Sequence, residues 1–210
     1  MMKNKPNPYN MSFTAGAAMI NETRAMAELY IDLDGDWKKI KDRALQENIM
    51  QKDKRSSNLR YLALMKQRME ALNERELKLL VESPVAIQRQ IILLAICKAH
   101  AFVFDFINEA VREAYYNQRE KIGKSTFNEF FREKMVDHPE LETVTDQTVA
   151  KMRQVIFRIL EQCEIIESVE TGILKRPYLN SKIEDLIVSD NPMLLSAFLY
   201  SNNEINCLTI

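Results

Sequence analysis

Two histidines and three cysteines are the side chains of this 210-residue sequence best suited to nucleophilic or metal chemistry. Cys97 and His100 stand three residues apart, a spacing that puts both on one face of a helix. Such a pair could act as a nucleophile with its general base. The residues around it, Ile91–Cys97 and Ala101–Phe106, are almost continuously apolar, so the pair reads as a core cysteine beside a hydrogen-bonded core histidine. His138 precedes Pro139 at a helix break, where a turn or capping role fits better than metal ligation. An odd number of cysteines without a CxxC pair argues against a disulfide framework and against zinc. The acids Glu140 and Glu142, and Asp32, Asp34 and Asp36, fall beside expected caps and turns, where carboxylates complement helix starts. Only four glycines leave little room for a phosphate-cradling loop. The sequence therefore predicts no catalytic residue, no metal and no cofactor.

Charge offers a different chemistry. Between Lys38 and Arg68 there are ten Lys or Arg against three Asp or Glu, a local balance of +7 in a chain of net charge −1. Lys38, Lys39, Lys41, Arg43, Lys52, Lys54, Arg55 and Arg60, with Ser56, Ser57 and Asn58 at a helix start, form the candidate phosphate-contacting set for a nucleic acid. Lysine and arginine neutralise phosphates, and a helix N-terminus adds free N–H groups and a partial positive charge. The competing reading is a solvated face on amphipathic helices. A second stripe, Gln147, Lys151, Gln154 and Arg158, with Lys175 and Arg176 further on, is a secondary candidate for contact with DNA or protein. Residues 145–176 carry five bases and five acids, a balance of zero, which tilts this second set toward protein.

The elements that must hold these residues follow from periodicity. Val149, Met152, Ile156, Ile159, Leu160 and Cys163 recur at helical spacing after Thr145, a suitable N-cap. Ile165–Val169 and Ile173–Arg176, separated by Glu170-Thr171-Gly172, predict a hairpin, and helix plus hairpin is the outline of a winged helix. In the first half, Asp34-Gly35-Asp36 ends one helix and caps the next, about Trp37–Glu47. Ser56 or Ser57 is expected to cap a helix reaching about Leu72, giving a helix-turn-helix outline. Val85–Arg119 predicts a long, buried helix with a break near His100. Met1–Asn10 reads as a loose arm, and Ser201–Ile210 as a tail that is disordered or docks on a partner. The expected fold is mainly helical with a small β-hairpin wing. It comprises tandem helix-turn-helix and winged-helix modules at 1–82 and 121–210, joined by a buried connector at 83–120.

Composition sets the outer bounds. Hydrophobic residues at 46 % suffice for a core, and 28 % charged residues favour solubility. Free cysteines fit a reducing cytoplasm. No run approaches the roughly 20 apolar residues of a membrane span, and no signal-peptide pattern opens the sequence.

Two groups of motifs carry a family resemblance. The first is SFTAGA at Ser12–Ala17, then Asn48-x-x-Gln51, Arg55-Ser56-Ser57 and Arg68-Met69-Glu70-Ala71-Leu72. The second is the long block Phe130–Ile166. In this order they resemble the BrxA family of bacteriophage exclusion (BREX) systems. The resemblance implies a small cytoplasmic, helical protein that binds double-stranded DNA, works beside other phage-defence subunits and has no known catalytic residues. It leaves two alternatives: a protein–protein adaptor of the defence complex, and an RNA binder of the antitermination type.

Overall fold

A computed structural model describes residues 7–209, and these are mainly helical. After a short 3-10 segment, Met11–Ala15, come α1 (Ile20–Asp32), α2 (Trp37–Gln46), α3 (Arg55–Ala71), α4 (Glu74–Glu82) and α5 (Val85–Ala99). The chain continues through α6 (Ala101–Asp105), a π-helical turn (Phe106–Val111), α7 (Arg112–Tyr116), α8 (Lys124–Met135) and α9 (Asp146–Gln162). It closes with α10 (Ser181–Asp190), a 3-10 turn (Pro192–Phe198) and α11 (Asn202–Leu208). Local chemistry explains many of the starts. Asp36 accepts the Lys39 N–H, Thr145 the Thr148 N–H, and Asn73 and Glu76 form a reciprocal capping box.

The long central helix breaks at His100, where the chain direction bends by 114°. His100 serves both arms: its N–H donates to Ile96 O, while its own carbonyl accepts from Val103 and Phe104. A straight helix over 85–116 would run about 48 Å; the elbow instead folds both apolar arms into one core. Ile91–Cys97 is wholly buried, and so are Phe102, Val103, Phe106 and Ile107. A single cluster of buried side chains runs from Tyr9 to Ile205, through all three segments of the chain. Among the described residues no single helix is long and apolar enough to cross a membrane.

The elbow histidine departs from expectation in one respect. His100 is fully buried, but neither ring nitrogen has a hydrogen-bond partner. Burial, reinforced by the Arg68 guanidinium, lowers its pKa from 6.5 to about 4. The neutral imidazole is the folded form, so between those values the unfolded chain binds a proton that the folded chain refuses. This contribution to stability is complete above pH 6.5 and is lost as pH falls toward 4. In denaturant titrations, His100→Leu is expected to flatten the pH dependence of stability in that window by up to about one proton. Parallel curves for the two proteins would show that His100 does not titrate there.

The expected hairpin wing does not form as a sheet. Two isolated antiparallel bridges, Ile166 with Leu174 and Lys121 with Ile173, are the only β pairings among the described residues. The N–H groups that would extend a ladder are used elsewhere. Ile165 donates to Leu160 O at the end of α9, Val169 donates to the Glu161 carboxylate, and Pro177 has no N–H. Gly172 does occupy the turn, with φ of 62°, and a Cβ there would lie 2.0 Å from Ile122 O. A winged-helix description of this half is therefore replaced by a helix followed by a bridged loop.

Tyr9 and the segment 202–208 are tied to the rest of the chain. Residues 1–6 of the expected loose arm lie outside the described residues. Tyr9 is buried, stacks on His138 at 3.8 Å and donates its hydroxyl to Asp105 at 2.6 Å. The tail forms α11, held by Glu204. Burial alone would raise this carboxyl, but hydrogen bonds from Ser201, Arg176 and Tyr116 outweigh it and hold the pKa down to about 2.

Candidate nucleic-acid interface

Helix α2 buries Ile40 and Ala44, which turns Lys38, Lys39, Lys41 and Arg43 to solvent. Lys39 pairs with Asp36 at 3.1 Å and Arg43 with Glu47 at 2.8 Å, both exposed contacts within one helical turn. Such pairs hold little free energy. Lys52 lies over the Tyr61 ring, 4.9 Å from its centroid. Lys38, Lys41, Lys54, Arg55 and Arg60 are exposed and have no acid within ion-pair distance among the described residues.

Helix α3 begins earlier than its sequence suggests. Lys54 is the N-cap and Arg55 the first helical residue, so Ser56 and Ser57 lie inside the first turn and do not cap it. No side chain caps α3, which leaves the exposed N–H end of the helix available to an anion. Asn58 is buried and serves the preceding loop. Its Nδ2 donates to Asn48 Oδ1 at 3.2 Å and to Lys52 O at 2.9 Å, across a loop in which Asn48 and Gln51 hold positive φ. Asn58 therefore shapes the basic loop from within. Arg68, counted in the +7 balance, is also removed from the surface. It is fully buried and pairs with no carboxylate among the described residues. Its guanidinium donates to the carbonyls of Gly16, Ala17 and Ala18, at 3.2, 2.6 and 2.8 Å. Burial lowers its pKa to about 10.

That clamp explains the Ser12–Ala17 motif. Met11–Ala15 packs against both α3 and α9. Ser12 donates to Gln67 at 2.6 Å, and the Ala18 N–H donates to Gln162 of α9 at 2.9 Å. At Gly16 a Cβ would meet Met19 Sδ at 2.5 Å and the Tyr61 ring at 2.9 Å, so a larger residue would have to displace those side chains. The small residues of the motif are a spacer between two helices, and their separation in sequence hid that role.

The spacer brings together residues that the sequence placed in separate halves. Arg60 of α3 and Gln147, Thr148, Lys151 and Gln154 of α9, with Thr14 between them, line one groove of about 520 Å³. The whole stripe Gln147, Lys151, Gln154 and Arg158 is exposed, as its spacing requires. The rest of the secondary set is not brought to this groove. Arg158 pairs with Glu161 at 2.5 Å and Lys175 with Glu167 at 3.7 Å. Arg176 pairs with Glu204 at 2.7 Å and lies over the Tyr200 ring. Arg55 lines a different groove, beside Asp42 and Asp53.

The sequence profile of the BrxA family matches residues 7–191. The chain belongs to the BrxA family. A BREX protein BrxA from Escherichia coli is 26 % identical over 164 residues, 78 % of this chain and 76 % of that protein. One from Bacillus cereus is 26 % identical over 145 residues, 69 % of this chain and 68 % of the other. The BrxA helical architecture also has an experimental counterpart. A crystal structure of an uncharacterized protein from Magnetospirillum magneticum superposes with a TM-score of 0.80 at 18 % identity, covering 91 % of this chain and 98 % of that one.

Proposed function

We propose that this BrxA-family chain is a non-catalytic, double-stranded-DNA-binding component of a BREX phage-defence system that works beside other defence subunits. The observation that carries the reading is the set of exposed cations without acidic partners: Lys38, Lys41, Lys54, Arg55 and Arg60. They stand on two consecutive helices of a chain whose net charge is −1. Phosphate binding uses unpaired surface cations of this kind and needs no sheet or wing. The uncapped start of α3 lies among them and adds its partial positive charge.

Gel shifts with duplex DNA, duplex RNA and both single strands across a salt series test the proposal. Duplex DNA should bind most tightly, with log affinity falling steeply against log salt. Tighter binding of RNA would favour the antitermination-type reading, and no binding to any nucleic acid would favour an adaptor. A specific observation keeps protein partners in view: Tyr178 is 90 % exposed, beside a groove where Lys175 and Arg176 are balanced by Glu161, Glu164 and Glu167. That face lacks the unpaired cations of α2 and α3 and suits a protein surface better than a phosphate backbone.

A further inference from the structure

The groove between α3 and α9 differs in charge from its neighbours. Four other surface grooves each contain at least one carboxylate: Glu109, Glu184, Asp42 and Glu161 are examples, one from each. Among the described residues the α3–α9 groove has none in its lining, and it has a cation on each helix: Arg60 on α3 and Lys151 on α9. Among the described residues Arg60 has no ionic partner, and neither has Lys151, whose side chain donates a hydrogen bond to Gln154 Oε1 at 3.1 Å. The remaining polar lining, Thr14, Gln147, Thr148 and Gln154, is neutral and able to hydrogen-bond to phosphate or sugar oxygens. An acid-free channel with a free cation on either wall attracts a polyanion.

We propose that this groove seats one phosphodiester strand of the duplex, held by Arg60 from the α3 wall and Lys151 from the α9 wall. The α9 stripe then becomes a second line of DNA contact, continuous with the basic patch of α2 and α3. The assignment rests on the DNA-binding reading above and adds a surface that the neutral charge balance of residues 145–176 had turned toward protein. The dimensions agree. Gln147 to Gln154 spans about 10 Å of helix, longer than the step between successive phosphates on one strand, so the groove can meet more than one of them. Gln147 and Gln154 carry no charge, so their part is hydrogen bonding along the strand, while the salt-dependent attraction comes from Arg60 and Lys151.

Cross-linking locates the strand directly. Ala150 is exposed and lines the groove. Cys207 is the exposed cysteine, whereas Cys97 and Cys163 are buried. In a Cys207→Ser background, Ala150→Cys is incubated with a duplex carrying thiol-reactive tethers on its backbone. Ser189→Cys, exposed on α10 outside the groove, is the control. Cross-linking should be faster at 150 than at 189 and be suppressed by unmodified duplex. Separately, Lys151→Ala and Arg60→Ala should each flatten the log affinity–log salt slope by about one unit, with unchanged circular dichroism. Equal rates at 150 and 189, or an unchanged slope for Lys151→Ala, would overturn the groove assignment while duplex binding by the wild type still upheld the function. Loss of both would show as no duplex binding by the wild-type protein at any salt concentration.

Discussion

Replacing Lys54, Arg55 and Arg60 together by Ala is expected to weaken duplex DNA binding on the order of a hundredfold at 0.15 M salt, from about three released counterions referred to 1 M. The slope of log affinity against log salt should fall by up to about three units. All three residues are exposed and unpaired, so the melting temperature should hold. The comparison is Lys151, Arg153 and Arg158 replaced by Ala. Arg158 already pairs with Glu161, and Arg153 lies against Asn128 Oδ1 at 3.5 Å. That set should cost about one slope unit, from Lys151 alone. If it abolishes binding while the first set leaves affinity and slope untouched, the DNA surface belongs to α9 and not to α3. If neither set matters, the adaptor reading takes precedence. Lys175 and Arg176, tied to Glu167 and Glu204, are expected to be neutral for DNA.

Phe102→Ala is expected to cost about 3–5 kcal/mol of stability, the usual range for truncating a fully buried aromatic. For a chain of this size that lowers the melting temperature by roughly 6–20 °C. Phe102 is 0 % exposed, just past the elbow, and meets five other rings. Tyr9, Phe130 and Phe131 approach edge-on at 5.1, 5.4 and 6.2 Å; Phe13 stacks at 5.9 Å, and Phe127 is tilted at 6.3 Å. Three of these partners lie on α8, and two precede α1. The side chain therefore joins the start of the chain to its second half. Differential scanning calorimetry checks the effect, and a near-wild-type transition would show that the cluster repacks without it.

Periodicity carried well where one face of a helix meets the core. The buried and exposed faces of α9, its Thr145 cap, the Asp36 cap of α2 and the break at His100 are all readable in the sequence, because each depends on residues within a turn or two. The failures share a cause. Whether 165–176 forms a ladder was decided by competing acceptors, Leu160 O and the Glu161 carboxylate, which no strand propensity reports. Ser56 and Ser57 looked like caps by residue type, yet the helix starts at Arg55. Asn58 and Arg68 are polar by type but buried, since their partners lie in a loop and in a segment about 50 residues earlier. The contiguity of Arg60 with Gln147 and Lys151 has no local signature. It arises where the Met11–Ala15 segment packs against both α3 and α9.

The hydrogen bond from the Ala18 N–H to Gln162 spans 144 residues. A ribosome adding 5–20 residues per second needs roughly 7–30 s to cover that interval. Ala18 therefore leaves the ribosome well before its partner on α9. For the later part of that interval α2 and α3 are already synthesised, while α9 is not. Under the proposed reading, a nascent chain at that stage presents the α3 wall of the groove without the α9 wall.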